Sequence, residues 1–203
     1  GVGKTTVLRA VIDLAHRQGV EVHLMALAGR AAERMQESTN EPASSIARHL
    51  VSVRAGKVEV TPDSLIIIDE ASMLDLSTMY RILRTTPDGA RSLLACDQAQ
   101  LAPIGFGLVF HSLANSSKIP SVELTEVYRQ AASTGIPDIA RTVRKHSVPD
   151  LERYHGQTQG VSFLECSASQ LSTHLQILAN RWRGDDWRIL SAVKEGAAGV
   201  RPI

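Results

Sequence analysis

Charge of one sign is what this chain has least of. Its 22 Lys and Arg nearly cancel 21 Asp and Glu, leaving a formal net charge of +1 over 203 residues. No basic excess announces a nucleic-acid partner. A protein that grips a few phosphates through backbone amides and hydroxyls also stays near neutral, so the balance does not exclude one. Cysteine is nearly absent too: Cys96 and Cys166 lie far apart, with no CxxC spacing and no adjacent His pair. That excludes a zinc site of the usual spacing and reads as two free thiols in a reducing compartment. Aromatic residues make up 4% of the chain. Its two tryptophans, Trp182 and Trp187, read as core or amphipathic surface rather than as platforms for stacking bases. The longest aliphatic run, residues 65–68, is far too short to cross a bilayer, and no charged-then-apolar leader opens the chain. The expectation is a soluble cytoplasmic protein without membrane attachment.

What is present is enough apolar content, 43%, for one substantial core and the beginning of a second. Apolar residues at Val7, Leu8, Val11, Leu14 and Ala15 follow helical spacing, and Gly19 stands where a helix stop belongs. Alternation over residues 20–27 predicts a strand. Helices are expected over 30–38, 44–53, 76–83, 139–145 and 169–182. The β-branched run at 65–68 predicts a strand buried on both faces, and further short strands are expected at 92–95, 122–124, 161–164 and 187–191. Strands alternating with helices imply an α/β fold with a parallel sheet. The polar, turn-rich stretch 147–160 reads as a linker. Expected domains are therefore 1–146 and 161–203, joined by 147–160.

The opening Gly1-Val2-Gly3-Lys4-Thr5-Thr6 matches the second half of the phosphate-loop pattern GxxxxGK[ST]. Glycines there let backbone N–H groups wrap phosphates at a helix N-terminus, whose dipole favours anions. Lys4 is expected to bridge the terminal phosphates of ATP, and the Thr5 hydroxyl to hold Mg²⁺. The other reading is an ordinary glycine turn before a helix. Because the pattern begins inside the loop, the chain reads as an internal fragment, truncated at both ends and inactive in ATP hydrolysis by itself. Asp69 and Glu70 follow the aliphatic strand, where Asp69 is expected to hold Mg²⁺ through water and Glu70 to activate the attacking water. Alone, such a pair is as often a helix cap; after a phosphate loop it specifies hydrolysis.

Beyond these elements the chain resembles superfamily-one DNA helicases of the RecD/TraA type. Residues 67–73, Ile-Ile-Asp-Glu-Ala-Ser-Met, are similar to the second motif in its DEAS form. Residues 96–105, Cys-Asp-Gln-Ala-Gln-Leu-Ala-Pro-Ile-Gly, are similar to the third motif, GDxxQLPPVG. The resemblance makes Gln100 the γ-phosphate sensor, a role that suits an amide able to donate and accept without titrating. Residues 124–130 are similar to the fourth motif, which makes Arg129 the guanidinium reaching the transferring phosphoryl group. Residues 28–32 and 43–48 resemble two DNA-contact segments, PTGRAA and ASTIHR, placing Gly29, Arg30, Ser45 and Arg48 on the strand's backbone. The sequence departs from the pattern at Leu27, Ala28, Ala47, Cys96 and Ala102, which replace Pro, Thr, His, Gly and Pro.

The resemblance implies a RecA-like P-loop ATPase domain and the start of a second such domain. It also implies a motor coupling ATP hydrolysis to 5′ to 3′ movement on single-stranded DNA, with a nuclease or relaxase as accompanying subunit or domain. Two other readings stand beside it: a nucleotide-binding regulatory or scaffolding module that no longer unwinds DNA, and another P-loop enzyme, of AAA+ or kinase type. The intact set Lys4, Thr5, Asp69, Glu70, Gln100 and Arg129 favours the motor.

Overall fold

The isoleucine run sets the architecture. Strand β3 (Leu65–Asp69) pairs in parallel with β1 (Val22–Ala26) on one side and β4 (Arg91–Ala95) on the other. The short β2 (Ala43–Ser45) adds to the far side of β1, giving a four-stranded parallel sheet in the order β2-β1-β3-β4. The computed structural model describes residues 3–124, 135–156, 159–184, 186–196 and 198–200. Period-two geometry sends Ile67 to one face of the sheet and Ile66 and Ile68 to the other. Ile67 packs with Leu8 and Ile12 of α1 (Lys4–Arg17), Leu24, and Met35 of α2 (Gly29–Thr39). On the opposite face, Ile66 and Ile68 pack with Met25, Ile46 and Leu50 of α3 (Ile46–Arg54), and Ile82 of α4 (Leu76–Leu83). All three isoleucines are at most 1% exposed, so each stabilises the fold by roughly 1.5–3 kcal/mol relative to exposure. The expected strand covered on both faces is present, and the fold is the expected α/β layering.

The helix expected over 44–53 begins later, at Ile46, because Ser44 and Ser45 extend the sheet by pairing with Met25 and Ala26. Ser45 then caps α3, its hydroxyl accepting from the Arg48 N–H at 3.3 Å. A six-residue helix, α5 (Val109–Ala114), was not expected. Residues 122–124 form no strand: they have no pairing partner among the described residues, and Val122 is 89% exposed.

The chain divides into two compact units, residues 1–129 and 130–203. The second contains α6 (Ile136–Arg144), α7 (Ala168–Arg181) and a parallel pair of two-residue strands, β5 (Glu152–Arg153) and β6 (Ser162–Phe163). Strand β5 lies within the stretch read as a linker. Helix α7 opens with a capping box between Ser167 and Gln170. Residues 187–191 are not a strand: the segment finds no ladder among the described residues, and Leu190 is 92% exposed.

Candidate functional site

Parallel pairing brings the carboxyl ends of the strands level. Ser45, Ala26, Asp69 and Ala95 stand abreast in the register. Each strand therefore hands its next residues to one edge of the sheet, the edge where open α/β folds bind ligands. Asp69 and Glu70 leave β3 there, Cys96 and Asp97 leave β4, and α2 and α3 begin there.

Lys4 is the first residue of α1, and Gly3 before it is the N-cap at φ +83°, a left-handed conformation that disfavours a side chain. The Lys4 Nζ donates to Asp69 Oδ1 at 2.5 Å, with side chains 32% and 20% exposed. The same Asp69 oxygen accepts the Glu70 N–H at 2.8 Å. Glu70 has φ +55°, an uncommon conformation for a residue with a Cβ, and caps a 3₁₀ turn at Ala71–Met73. Lys4, Asp69 and Glu70 are thus gathered at one point, 65 residues of chain separating the first two. Thr5 and Thr6 follow Lys4 on the exposed first turn of α1. Hydroxyl and carboxylate oxygens, as Thr5 and Asp69 offer, are the hard donors that Mg²⁺ takes while keeping several waters.

The loop after β4 is fixed at both ends. At its start, the Asp97 carboxylate accepts the Ala99 N–H at 3.0 Å, and His111 Nε2 lies 3.1 Å from the Gln98 carbonyl. At its far end, the Phe106 carbonyl accepts the Leu76 N–H at 2.9 Å. Gly105 lies so close to Asp75 that any Cβ there would run into the carboxylate. Asp75 itself caps α4, accepting the Thr78 N–H at 2.7 Å; that hydrogen bond holds its carboxyl below the usual carboxylate range. Gln100 rides this loop exposed to solvent. Among the described residues, no side-chain hydrogen bond joins it to Lys4, Asp69 or Glu70. Gly1, Val2 and Arg129 lie outside the described residues.

Gly29 and Arg30 open α2 and are exposed, and Arg48 is exposed on the first turn of α3. Ser45 spends its hydroxyl on the cap of α3. All four stand on the carboxyl edge with Asp69, two helix starts beside the acidic pair.

Two neighbours received no role in the sequence reading. Ser72 is 1% exposed, and its hydroxyl has no hydrogen-bond partner. Cys96 is half-buried among Ala71, Leu74 and their neighbours. Burial pushes its thiol up to about 11, while the Lys4 ammonium acts the other way. The Cys96 side chain packs against the cluster that holds Ala71 and Leu74, the residues on either side of Ser72 and Met73. The available signals were the departure of residue 96 from the glycine pattern and the place of Ser72 as the serine of the DEAS-like segment.

The profile of a family described as AAA domain matches residues 1–162. The chain belongs to that family. It is similar to the ATP-dependent RecD2 DNA helicase of Deinococcus radiodurans, 40% identical over 153 residues that cover 73% of this chain and 21% of that protein. A probable conjugal transfer protein TraA of Sinorhizobium fredii is 30% identical over 131 residues, 64% of this chain and 12% of its own length. The crystal structure of Pif1 helicase from Candida albicans superposes with a TM-score of 0.52 at 21% identity, covering 91% of this chain and 50% of that one. It shares the fold. The AAA description coincides in name with one of the alternative readings, but these relatives are of the RecD and TraA kinds, so the resemblance read in the motifs holds. The chain spans about a fifth or less of the length of the two sequence relatives.

Proposed function

We propose that this chain is part of the ATP-hydrolysing motor of a DNA helicase, which couples turnover to movement along single-stranded DNA in the 5′ to 3′ direction. The observation that carries the proposal is the Lys4–Asp69 contact at 2.5 Å with Glu70 fixed to the same carboxylate. A phosphate-binding lysine, a metal-binding acid and a base for water meet on the ligand edge of a parallel sheet. Lys4 and the N–H groups at the start of α1 bind the phosphates of ATP; Thr5 and Asp69 hold Mg²⁺, which neutralises phosphate charge when bound. Glu70 orients the attacking water and takes its proton. Gln100 and Arg129 sense and stabilise the transferring phosphoryl group. Gly29, Arg30, Ser45 and Arg48 face the DNA backbone, placing its grip on the same edge as hydrolysis. The proposal extends to a cytoplasmic setting and to a nuclease or relaxase as accompanying subunit or domain.

In the full-length protein, Lys4→Ala or Glu70→Gln is expected to lower kcat for ATP by about 100-fold or more. Single-stranded DNA is expected to stimulate the unaltered enzyme strongly; equal turnover with and without DNA would sink the translocation reading. One observation favours the second reading, a nucleotide-binding module: Ala28 caps α2 with no side-chain hydrogen bond, where the family pattern carries a hydroxyl. Tight ATP binding without turnover would select it.

A further inference from the structure

Glu70 must be held in a backbone conformation that it does not favour. At φ +55° a residue with a Cβ is strained, and such strain persists only where the surroundings enforce it. Asp69 restrains Glu70 from the front through its N–H. Behind Glu70 the chain makes the turn Ala71–Met73, closed by the Met73 N–H to the Glu70 carbonyl at 3.3 Å and the Leu74 N–H to the Ala71 carbonyl at 3.1 Å. The turn's central residue, Ser72, is shut from solvent with its hydroxyl unpartnered. Cys96, next after the residue of β4 that pairs with Asp69, is half-buried and packs against the apolar cluster that holds Ala71 and Leu74, the residues that bracket Ser72 and Met73. Where the helicase pattern has glycine, this chain therefore fills the space between the strand that carries the hydrolytic acids and the loop that carries Gln100.

We propose that Cys96 is a positioning residue for hydrolysis, its side chain holding the turn at Ser72 so that Glu70 keeps the conformation in which it faces the attacking water. Cys96 touches neither phosphate nor water; it acts through Ser72 and Glu70. The contact also ties the Gln100 loop to the acidic turn, since Cys96 begins that loop and Gly105 and Phe106 fasten its far end to Asp75 and Leu76. A glycine at 96 leaves the turn without this backing, and a serine restores a side chain of the same shape in the same place.

The inference rests on the proposed hydrolytic site, and its test separates the two. In the full-length protein, Cys96→Ala is expected to lower kcat about tenfold, since small misplacements of a reacting group carry penalties of that order. KM for ATP should stay within about twofold, because Lys4 is untouched. Cys96→Ser should recover at least about half of the lost rate. An alanine variant with unchanged kcat, or one in which serine rescues nothing and KM rises with the loss, overturns the proposal. A crystal structure of the alanine variant gives a readout that needs no turnover: Glu70 is expected to leave the positive-φ region. Retention of its present conformation overturns the proposal as well. Should the unaltered full-length protein fail to hydrolyse ATP, the hydrolytic reading falls, and the variant's backbone at Glu70 still decides the role of Cys96.

Discussion

The two units of this chain solve the same problem with unequal means. Among the described residues of 1–129, every fully buried aliphatic side chain belongs to a sheet strand, to a helix packed on the sheet, or to the segment between β3 and α4. In residues 130–203, neither α6 nor α7 has a buried residue, and the strands are two residues long. Helices of good amphipathic pattern occur in both. What separates the units is the presence of a strand that can be covered on both faces, as residues 65–68 are. Helical pattern alone builds helices; a doubly covered strand turns them into layers and levels their starts along one edge.

That contrast breaks most sharply at Ile67, which is 0% exposed. Ile67→Ala is expected to destabilise the first unit by about 3–5 kcal/mol, whereas Leu178→Ala on the half-buried face of α7 should cost under about 1 kcal/mol. Both tryptophans lie in the second unit, so their fluorescence follows that unit while far-ultraviolet circular dichroism follows both. In urea, the isoleucine variant should shift the dichroism transition and leave the fluorescence transition in place. Identical shifts in both probes would make the two units one cooperative body.

A smaller effect is expected at Asp75. Replacing this cap of α4 by alanine should cost about 1 kcal/mol, again within the first unit. Because its carboxyl lies below the usual range through the Thr78 N–H, its contribution is present above the unfolded carboxylate range and fades as pH falls through the folded value. Asp75→Ala should therefore flatten the acid limb of the stability curve; an unchanged limb refutes the capping account.

Near neutrality the smallest effect is that of pH on two buried histidines. His23 lies 3.3 Å from the Ser64 hydroxyl and edge-on to His49 at 5.5 Å between ring centroids. Burial lowers both below the ordinary histidine value; Glu21 partly offsets this for His23, and His23 adds to it for His49. Unfolding thus takes up protons, so stability is complete above about pH 6.5 and declines as pH falls below it. His49→Gln should reduce that decline, seen as a smaller gap between melting temperatures at pH 7.5 and pH 5. A gap as wide as before would clear His49 of the effect.

The legible parts of the sequence were those whose chemistry repeats at short range. Lys4 before an apolar helix, and Asp69 and Glu70 after an isoleucine run, could be placed because each sits at a sharp change of pattern. The short strand β2 could not, since Ala43, Ser44 and Ser45 have no strand signature and are extended only because β1 offers a free edge. The reverse error occurred at 122–124 and 187–191, where suitable residues find no edge to join. Helix α5 falls below the length at which periodicity speaks. The left-handed Glu70 and the packing of Cys96 against the cluster of Ala71 and Leu74 are products of strands meeting, and no local pattern encodes them.

The level strand ends also constrain how this domain's length is able to vary. One residue inserted within β3 would turn Asp69 to the opposite face of the sheet and carry it about 3.3 Å along the strand, away from Lys4. The same residue inserted at 56–59, in the turn between α3 and β3 on the opposite edge, would only lengthen a surface connection, at an entropic cost that grows slowly with loop size. Insertions and deletions among homologous chains should therefore gather on the amino edge of the sheet, leaving the spacing from each strand to its first loop residue fixed.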